Sequence, residues 1–390
     1  MRKRDRVRFH RIRAAVAASF AAGSLLHGGA LEAQVAGVIV PTGRQEYFVL
    51  GHDQHVWNMM QRVNNGVSGT TFTFQNGMNS VVSAVASADG QVVVYDHWED
   101  GFEADPWAPV QANTLVLGDG NNANGRACDY TNDPRITPCN GTASHDDALF
   151  RGSPITLNSD RGLGGCTAGI RCTVPVNPRG TATRFDGGDR LLTSGGPLAL
   201  IHNQFPPPYP QIGGSTEVLP RQAFTGATSY YVPAGENNFA AGGPYLMFRY
   251  TAINIVAFDD DTKVFVNSPG GTGGTVSLTL NRGQHYTNCL TYLTAAPFTC
   301  TGGAIDGTAA PGLTINGATK ISSTGPVAIL LFTGGATTPW ATDFMPVVPD
   351  LLHGHDYILP TPGDDPAVLG PRPLNVYPYN PDSVNAISVT

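Results

Sequence analysis

The residue types best suited to chemistry are concentrated in one acidic stretch, residues 96–107, with the sequence DHWEDGFEADPW. Carboxylates alternate there with aromatic side chains, so the stretch offers metal ligands and a binding surface together. The candidate metal ligands are Asp96, Glu99, Asp100, Glu103 and Asp105, and the candidate binding residues are Trp98, Phe102 and Trp107.

Three interpretations of this stretch compete. The first, which we favour, is a solvated acidic loop held in place by its aromatic residues. The second is a calcium site, because hard cations bind several carboxylate and carbonyl oxygens from a flexible loop. The third is the acid pair of a glycosidase, which needs two carboxylates on either side of a sugar-shaped cleft. Calcium is therefore the candidate cofactor.

Other polar patterns are weaker. His52 and His55 are three residues apart, which suits a metal on a helical turn, but a pair of histidines in a loop usually binds none. Asp119 and Asn121 resemble calcium-loop residues, yet their spacing does not fit an EF-hand. No G-x-S-x-G, H-E-x-x-H or phosphate-loop motif is present, so we predict a protein without catalytic activity.

The N-terminus is predicted to be a secretory signal peptide, residues 1–33. A basic region precedes an apolar run at residues 14–26 and then small residues. That run is shorter than the roughly 20 residues that a membrane span needs. We expect a secreted or cell-surface protein, without membrane insertion after cleavage. Cleavage removes seven basic and two acidic residues, so the formal net charge falls from −7 to about −12, which disfavours nucleic-acid binding.

All six cysteines lie in the predicted mature chain, and an even number in an exported protein indicates disulfides. Sequence does not fix their connectivity, but their grouping favours local pairs. A zinc site is the rival interpretation, and the absence of C-x-x-C argues against it. The expected pairs are Cys128 with Cys139, Cys166 with Cys172, and Cys289 with Cys300.

Composition favours an all-β fold. The chain has 47 Gly and 30 Pro, which interrupt helices, and the runs between them are rich in β-branched and aromatic residues. We find no sustained helical spacing of apolar residues after residue 35, and residues 51–69 look polar and irregular. Residues 81–95 are predicted to form a hairpin around Asp89-Gly90. Residues 198–201 and 327–332 are predicted to be strands buried on both faces.

An internal repeat organises the chain. Residues 188–201 align without a gap on residues 317–330, and residues 215–237 resemble residues 341–363. A repeat of this length is a domain-sized unit. We therefore predict tandem antiparallel β-sandwich domains: a first unit at residues 34–225 with a disulfide-bearing insertion at about 116–181, a second at 226–360, and an incomplete third unit or tail at 361–390.

The second unit resembles the N-terminal region of IgGFc-binding proteins. The resemblance rests on IVAFDDDTKVFV, LTLNRGQHY, GATKISSTGPVAILLF, FMPVVP and HDYILP, and on the linking segment STEVLPRQAFTGATSYYVP. It reaches the first unit only at its ends, and the cysteine-bearing insertion and the HWEDG stretch depart from it. In bacteria, similar domains belong to large exported or surface proteins. The resemblance implies an extracellular interaction module and supplies no catalytic residues, and Fc binding is not carried over.

These observations predict a secreted or cell-surface binding or adhesion module, with loops on tandem β-sandwiches and an extracellular protein or glycan as ligand. Recognition would reside on loops that a rigid scaffold positions. The first alternative is a structural spacer of a large surface protein. The second is a calcium-dependent protein that binds or hydrolyses glycans.

Overall fold

The computed structural model describes residues 33–35, 38–40, 43–67, 78–136, 147–158, 183–206, 213–238, 248–270, 274–335 and 342–352. The fold is nearly all β, with 42% strand and 11% helix and antiparallel sheets, which confirms the predicted class. Within the described ranges, no helix is both long and apolar enough to cross a membrane. The predicted signal peptide apart from Ala33, and residues 361–390, lie outside these ranges.

Strands β3 to β10 form two antiparallel sheets. Sheet I has the order β3 (Gln45–Phe48), β8 (Arg190–Ser194), β5 (Val92–Asp96), β6 (Leu115–Leu117). Sheet II has the order β10 (Gly214–Glu217), β9 (Leu198–Phe205), β4 (Asn79–Ala86), β7 (Pro154–Asn158). A separate ribbon pairs β1 (Ala33–Val35) with β2 (Val38–Val40). We call β3 to β10 the first half.

Strands β11 to β20, the second half, form two more antiparallel sheets. Sheet III has the order β11 (Ser229–Tyr231), β18 (Lys320–Ser323), β13 (Thr262–Asn267), β14 (Thr275–Leu280). Sheet IV has the order β17 (Thr308–Ala310), β16 (Cys300–Ile305), β15 (His285–Tyr292), β12 (Tyr250–Ala257), β19 (Val327–Gly334), β20 (Thr342–Pro346).

Helical segments are short. Helix α1 covers Asp53–Gly66 and α2 covers Ala127–Tyr130. Three 3-10 turns cover Arg221–Phe224, Glu236–Asn238 and Asp350–Leu352.

The internal repeat places its two copies at equivalent positions. The aligned segments form β8 and β9 in the first half and β18 and β19 in the second. Strands β8 and β18 each occupy the second position of a four-stranded sheet, sheet I and sheet III. Strands β9 and β19 each pair with a long strand in the other sheet of the same half, β4 and β12. The second half differs by the added strands β16 and β17. The strand order therefore follows the repeat that the sequence contains.

The arrangement of the sheets differs from the predicted tandem sandwiches. The four sheets form a propeller-like ring of four blades, to which each half contributes two. The physical reason is a shared core. The larger cluster of buried apolar residues includes residues from strands of the second half. It also includes residues that precede β4 in the chain, among them Phe48, Leu50, Met59, Met60 and Val63. The halves therefore bury apolar surface against each other, which two separate sandwiches would not do.

Helix α1 contradicts the prediction that residues 51–69 are irregular. Val56, Met59, Met60 and Val63 follow the i, i+3, i+4, i+7 spacing of an amphipathic helix, and all four are buried. This stripe packs against sheet IV. The polar residues around it concealed a helical signal that the sequence does contain.

Two predictions about strands also need correction. Residues 81–95 do not form a hairpin, because β4 lies in sheet II between β9 and β7 while β5 lies in sheet I. The turn at Asp89-Gly90 therefore crosses between sheets. Residues 198–201 are not buried on both faces, since Ala199 and Ile201 are exposed. The prediction is right for β19, in which every residue is buried.

Of the predicted disulfides, Cys289–Cys300 is present and joins β15 to β16, with a Cα–Cα distance of 5.2 Å. Cys128, in α2, is also disulfide-bonded. Cys139, Cys166 and Cys172 lie outside the described residues.

Candidate functional site

The acidic stretch leaves sheet I at the end of β5 and returns at β6. Its first residue, Asp96, lies opposite Arg190 in the ladder between β5 and β8. Arg190 Nε and Nη2 donate to Asp96 Oδ2 at 3.0 and 2.5 Å, and both side chains are almost completely buried. Burial raises the pKa of Asp96, and the Arg190 charge offsets only part of that effect. A buried ion pair thus fixes the base of the loop.

Glu103 closes the loop on itself. Its Oε1 accepts hydrogen bonds from the Val110 and Gln111 amides at 2.8 and 2.6 Å, and its own amide donates to Asp96 Oδ2 at 3.1 Å. The Arg190 guanidinium also donates to the Glu103 carbonyl at 2.9 Å. The ends of residues 100–111, which we call the display loop, are therefore tied to each other and to the sheet.

The tip of the display loop presents apolar side chains. Val110 is 89% exposed. Trp107 is half-buried: it packs on a small cluster on sheet I that includes Val94 and Leu192, and the Arg44 guanidinium lies 4.6 Å from its ring centroid. The loop is thus anchored from below while its apex stays accessible.

Directly beneath this loop lies a fully buried polar cluster. His97, Glu99 and Asp189 each bring a ligand-type atom within 4.8 Å of the others, and all three residues are buried. His97 Nδ1 lies 2.7 Å from the Arg184 carbonyl oxygen, 3.4 Å from Asp189 Oδ2 and 4.0 Å from Glu99 Oε2. We call these three residues the His–carboxylate cluster.

Hydrogen bonds join the two segments that supply the cluster. Asp189 accepts from the Tyr95 hydroxyl, from the Trp98 amide at 3.0 Å and from the Asp186 amide at 3.1 Å. The Arg184 amide donates to Glu99 Oε1 at 2.8 Å, and the Trp98 indole donates to Asp186 Oδ1 at 2.9 Å. Residues 95–99 and 184–189 are therefore held together as one unit.

Two glycines make this close approach feasible. A Cβ on Gly188, whose φ is +116°, would lie 2.9 Å from the Trp98 ring. A Cβ on Gly187 would lie 1.9 Å from the Gly51 carbonyl oxygen. The turn before β8 can therefore pack against both neighbours only because these positions lack side chains.

Several acidic side chains lie close together in the cluster and away from solvent, and this shifts the pKa values of its members. Burial raises the pKa of Glu99 to about 8, with a further contribution from Asp189. Burial also raises the pKa of Asp186 well above its usual range. For His97, burial lowers the pKa, but the charges and hydrogen bonds of Asp189 and the charge of Glu99 outweigh it and raise the pKa to about 9. The site therefore favours positive charge near its carboxylates.

A second polar group continues the cluster toward the second half. The rings of His52 and His55 stack at 4.3 Å, and His52 lies 4.8 Å from Trp98. Asn254 Oδ1 accepts from the Gly51 amide at 3.2 Å, and His285 Nδ1 lies 2.9 Å from the same oxygen. A polar layer thus runs from sheet I to strands β12 and β15 of the other half.

Asp53 ties the start of α1 into this layer. Its carboxylate accepts from the Gly187 amide at 2.7 Å and from the Gln204 side chain at 2.9 Å. Burial raises the pKa of Asp53 to about 7, although these hydrogen bonds act in the opposite direction.

The five carboxylates predicted as metal ligands do not converge. Asp96 pairs with Arg190, Glu103 closes the loop, and Asp100 and Asp105 are exposed. Glu99 alone of the five belongs to the His–carboxylate cluster. The interpretation that we favoured, a solvated acidic loop, therefore fits the exposed apex of the stretch but not its buried base.

The three aromatic residues predicted to bind a ligand also lie in different environments. Trp98 is buried against Asp186 and His52. Phe102 is half-buried, with its ring 5.7 Å from that of Phe48 and below the Arg190 guanidinium. Trp107 lies at the surface of the display loop.

Sequence reasoning missed His97, Asp186 and Asp189 as site residues. The segment 184–189, RFDGGD, pairs two acids with two glycines, a signal of a tight polar turn. Its partnership with residues 95–99 depends on the pairing of β5 with β8. His202 and His285, which belong to no motif in the sequence, are also buried.

The Asp119 and Asn121 pattern, whose spacing does not fit an EF-hand, has a structural explanation. Asp147 accepts hydrogen bonds from the amides of Gly118, Asp119, Gly120 and Ala127 at 2.8–3.1 Å. Asp119 in turn accepts from the Asn121 amide at 2.8 Å. These carboxylates shape the loop after β6.

No protein-family model matches this chain, and neither a curated protein nor a solved structure similar to it was found. The resemblance to IgGFc-binding N-terminal regions therefore stays a prediction from the sequence.

Proposed function

We propose that this protein is an extracellular binding module that recognises its partner with the display loop. The observation that carries the proposal is the contrast within that loop. Its base is fixed by the buried Asp96–Arg190 pair and by Glu103, whereas its apex exposes Val110 and part of Trp107. A loop with no binding role has little need of so firm a base beneath an apolar apex.

A fixed loop favours binding for an energetic reason. Ordering a mobile side chain at an interface costs about 0.5–1.5 kcal/mol. The hydrogen bonds of Glu103 and the packing of Trp107 on sheet I remove much of that cost before the partner arrives. Tryptophan and arginine dominate the energetics of many interfaces, and Arg44 stacks on Trp107 here.

The chemistry of the apex favours a protein as the partner. Residues 106–110, PWAPV, are uncharged, and the exposed Asp100 and Asp105 stand beside them. This pattern suits an apolar pocket with basic residues at its rim. The resemblance to exported interaction modules supports the same class of function, and export itself rests on the N-terminal sequence.

The test is a screen of the purified mature chain against an array of extracellular proteins and glycans. We expect protein ligands whose signal falls in Val110→Ser, a substitution at an exposed position that leaves the base of the loop intact. Ile201→Ser is the matched control, because Ile201 is an exposed apolar residue on sheet II. Binding that is insensitive to Val110→Ser would refute the assignment to the display loop. A silent array would refute the proposal in favour of a spacer, and ligands that are all glycans would refute the choice of partner.

A further inference from the structure

Two buried polar atoms of the His–carboxylate cluster lack a hydrogen-bond partner within the described part of the chain. Among the residues that the structure describes, Glu99 Oε2 and His97 Nε2 find no hydrogen-bond partner, although the two side chains are only 2% and 0% exposed. Burying a polar atom without a partner destabilises a fold, so each such atom needs an explanation. Glu99 Oε2 is directed toward the other members of the cluster, 4.0 Å from His97 Nδ1.

We propose that His97, Glu99 and Asp189 bind a divalent metal ion of the zinc or manganese type. The donor set is one imidazole nitrogen and two carboxylate oxygens within 4.8 Å of one another. Imidazole suits zinc, and carboxylate and carbonyl oxygens suit manganese, so a mixed set admits both. This site is distinct from the calcium site that was one interpretation of the acidic stretch, because four of those five carboxylates lie outside it.

The ligand atoms, which lie within 4.8 Å of one another, must draw closer together around the ion. Bonds of roughly 2.0–2.1 Å in a tetrahedral site place neighbouring ligand atoms roughly 3.3 Å apart. His97 Nδ1 and Asp189 Oδ2 are already 3.4 Å apart, and Glu99 Oε2 must move closer to Nδ1 from 4.0 Å. Coordination through Nδ1 requires that Nδ1 loses its proton to solvent while Nε2 keeps one, and the metal replaces the hydrogen bond from Nδ1 to the Arg184 carbonyl. The Arg184 carbonyl oxygen, 2.7 Å from Nδ1, could serve as a further ligand after moving away from that nitrogen.

The ion would act as a structural cross-link. Its ligands come from the start of the acidic stretch and from the turn before β8, the two segments on which the display loop stands. Metal binding would also add positive charge beside these buried carboxylates. The inference stands apart from the proposed ligand recognition, since a spacer could contain the same site.

The test measures metal content directly. The tag-free mature chain, purified from medium with zinc and manganese, is analysed by elemental mass spectrometry, and the metal-stripped protein is titrated with Co²⁺, whose visible absorption reports an imidazole–carboxylate site. We expect about one ion per chain and a melting temperature that falls on treatment with EDTA. Glu99→Gln should weaken binding by about tenfold or more. Glu103→Gln is the matched control, because it alters a buried glutamate of the same loop outside the cluster.

Two results would overturn the inference. One is wild-type protein that carries no metal and shows neither a Co²⁺ spectrum nor a shift in melting temperature in excess Zn²⁺ or Mn²⁺. The other is metal binding that Glu99→Gln leaves unchanged. If the Glu99→Gln chain fails to fold, the wild-type titration decides the question alone.

Discussion

Breaking the Asp96–Arg190 pair should be the most informative perturbation of the scaffold. In Asp96→Asn the guanidinium of Arg190 stays buried without its main counter-charge. Removing one partner of a buried pair typically costs about 3–5 kcal/mol. Here Glu46 remains 3.7 Å from Arg190, and the Phe102 ring lies 4.6 Å from the guanidinium carbon. We therefore expect the lower end, about 3 kcal/mol.

The double variant Asp96→Asn/Arg190→Met sharpens this prediction. Each single substitution leaves the other charged group buried without its partner, whereas the double variant leaves neither charge behind. The two single substitutions should each cost about 3 kcal/mol, whereas the double should cost clearly less than their sum, with a coupling of about 2 kcal/mol. Free energies of unfolding from urea titration provide the measurement.

Arg126→Met is the control for this cycle. Arg126 and Asp129 form an ion pair with side chains 46% and 41% exposed, and such surface pairs contribute about 0–1 kcal/mol. Additive costs for Asp96→Asn and Arg190→Met, or single costs no larger than that of the control, would refute the reasoning that a buried pair fixes the base of the loop.

Two further predictions concern the rest of the fold. Burial lowers the pKa of His202 to about 4, while its two ring nitrogens are paired with the Leu50 carbonyl and the Ser80 hydroxyl. Because the unfolded histidine binds its proton near pH 6.5, the contribution of His202 to stability should fall by up to about 3 kcal/mol as the pH drops from 7 to 4. Urea titrations at both pH values should show that the change in stability from pH 7 to pH 4 is less unfavourable in His202→Gln than in wild type, and an equal change in both proteins would contradict the assignment. Met59 lies in the core shared by both halves, so Met59→Ala should lower the free energy of unfolding by about 2–5 kcal/mol. Calorimetry should show one unfolding transition for the whole fold, shifted to lower temperature. Two transitions, of which only one is shifted, would contradict the shared core.

The sequence predicted the strands and their repetition better than their assembly. Glycine, proline and β-branched residues have local effects, so β12, β13, β18 and β19 could be anticipated from short windows. Which strand pairs with which depends on contacts across the whole chain. For that reason the strands on either side of Asp89-Gly90 were joined into a hairpin, although each finds its neighbours elsewhere.

The same limit applies to the candidate site. The acidic stretch was found because its composition is unusual, and Glu99 was among its candidates. Asp189 and His97 became visible only when β5 and β8 lay side by side, since neither has a motif of its own. Helix α1 is a different case, because the spacing of Val56, Met59, Met60 and Val63 was readable in the sequence.

The most direct test of the proposed binding function is the affinity of the mature chain for its strongest protein ligand, compared among wild type, Val110→Ser and Ile201→Ser. If the display loop is the recognition element, Val110→Ser should weaken binding by about tenfold, while Ile201→Ser should bind like wild type. Equal affinities for all three proteins would contradict the account.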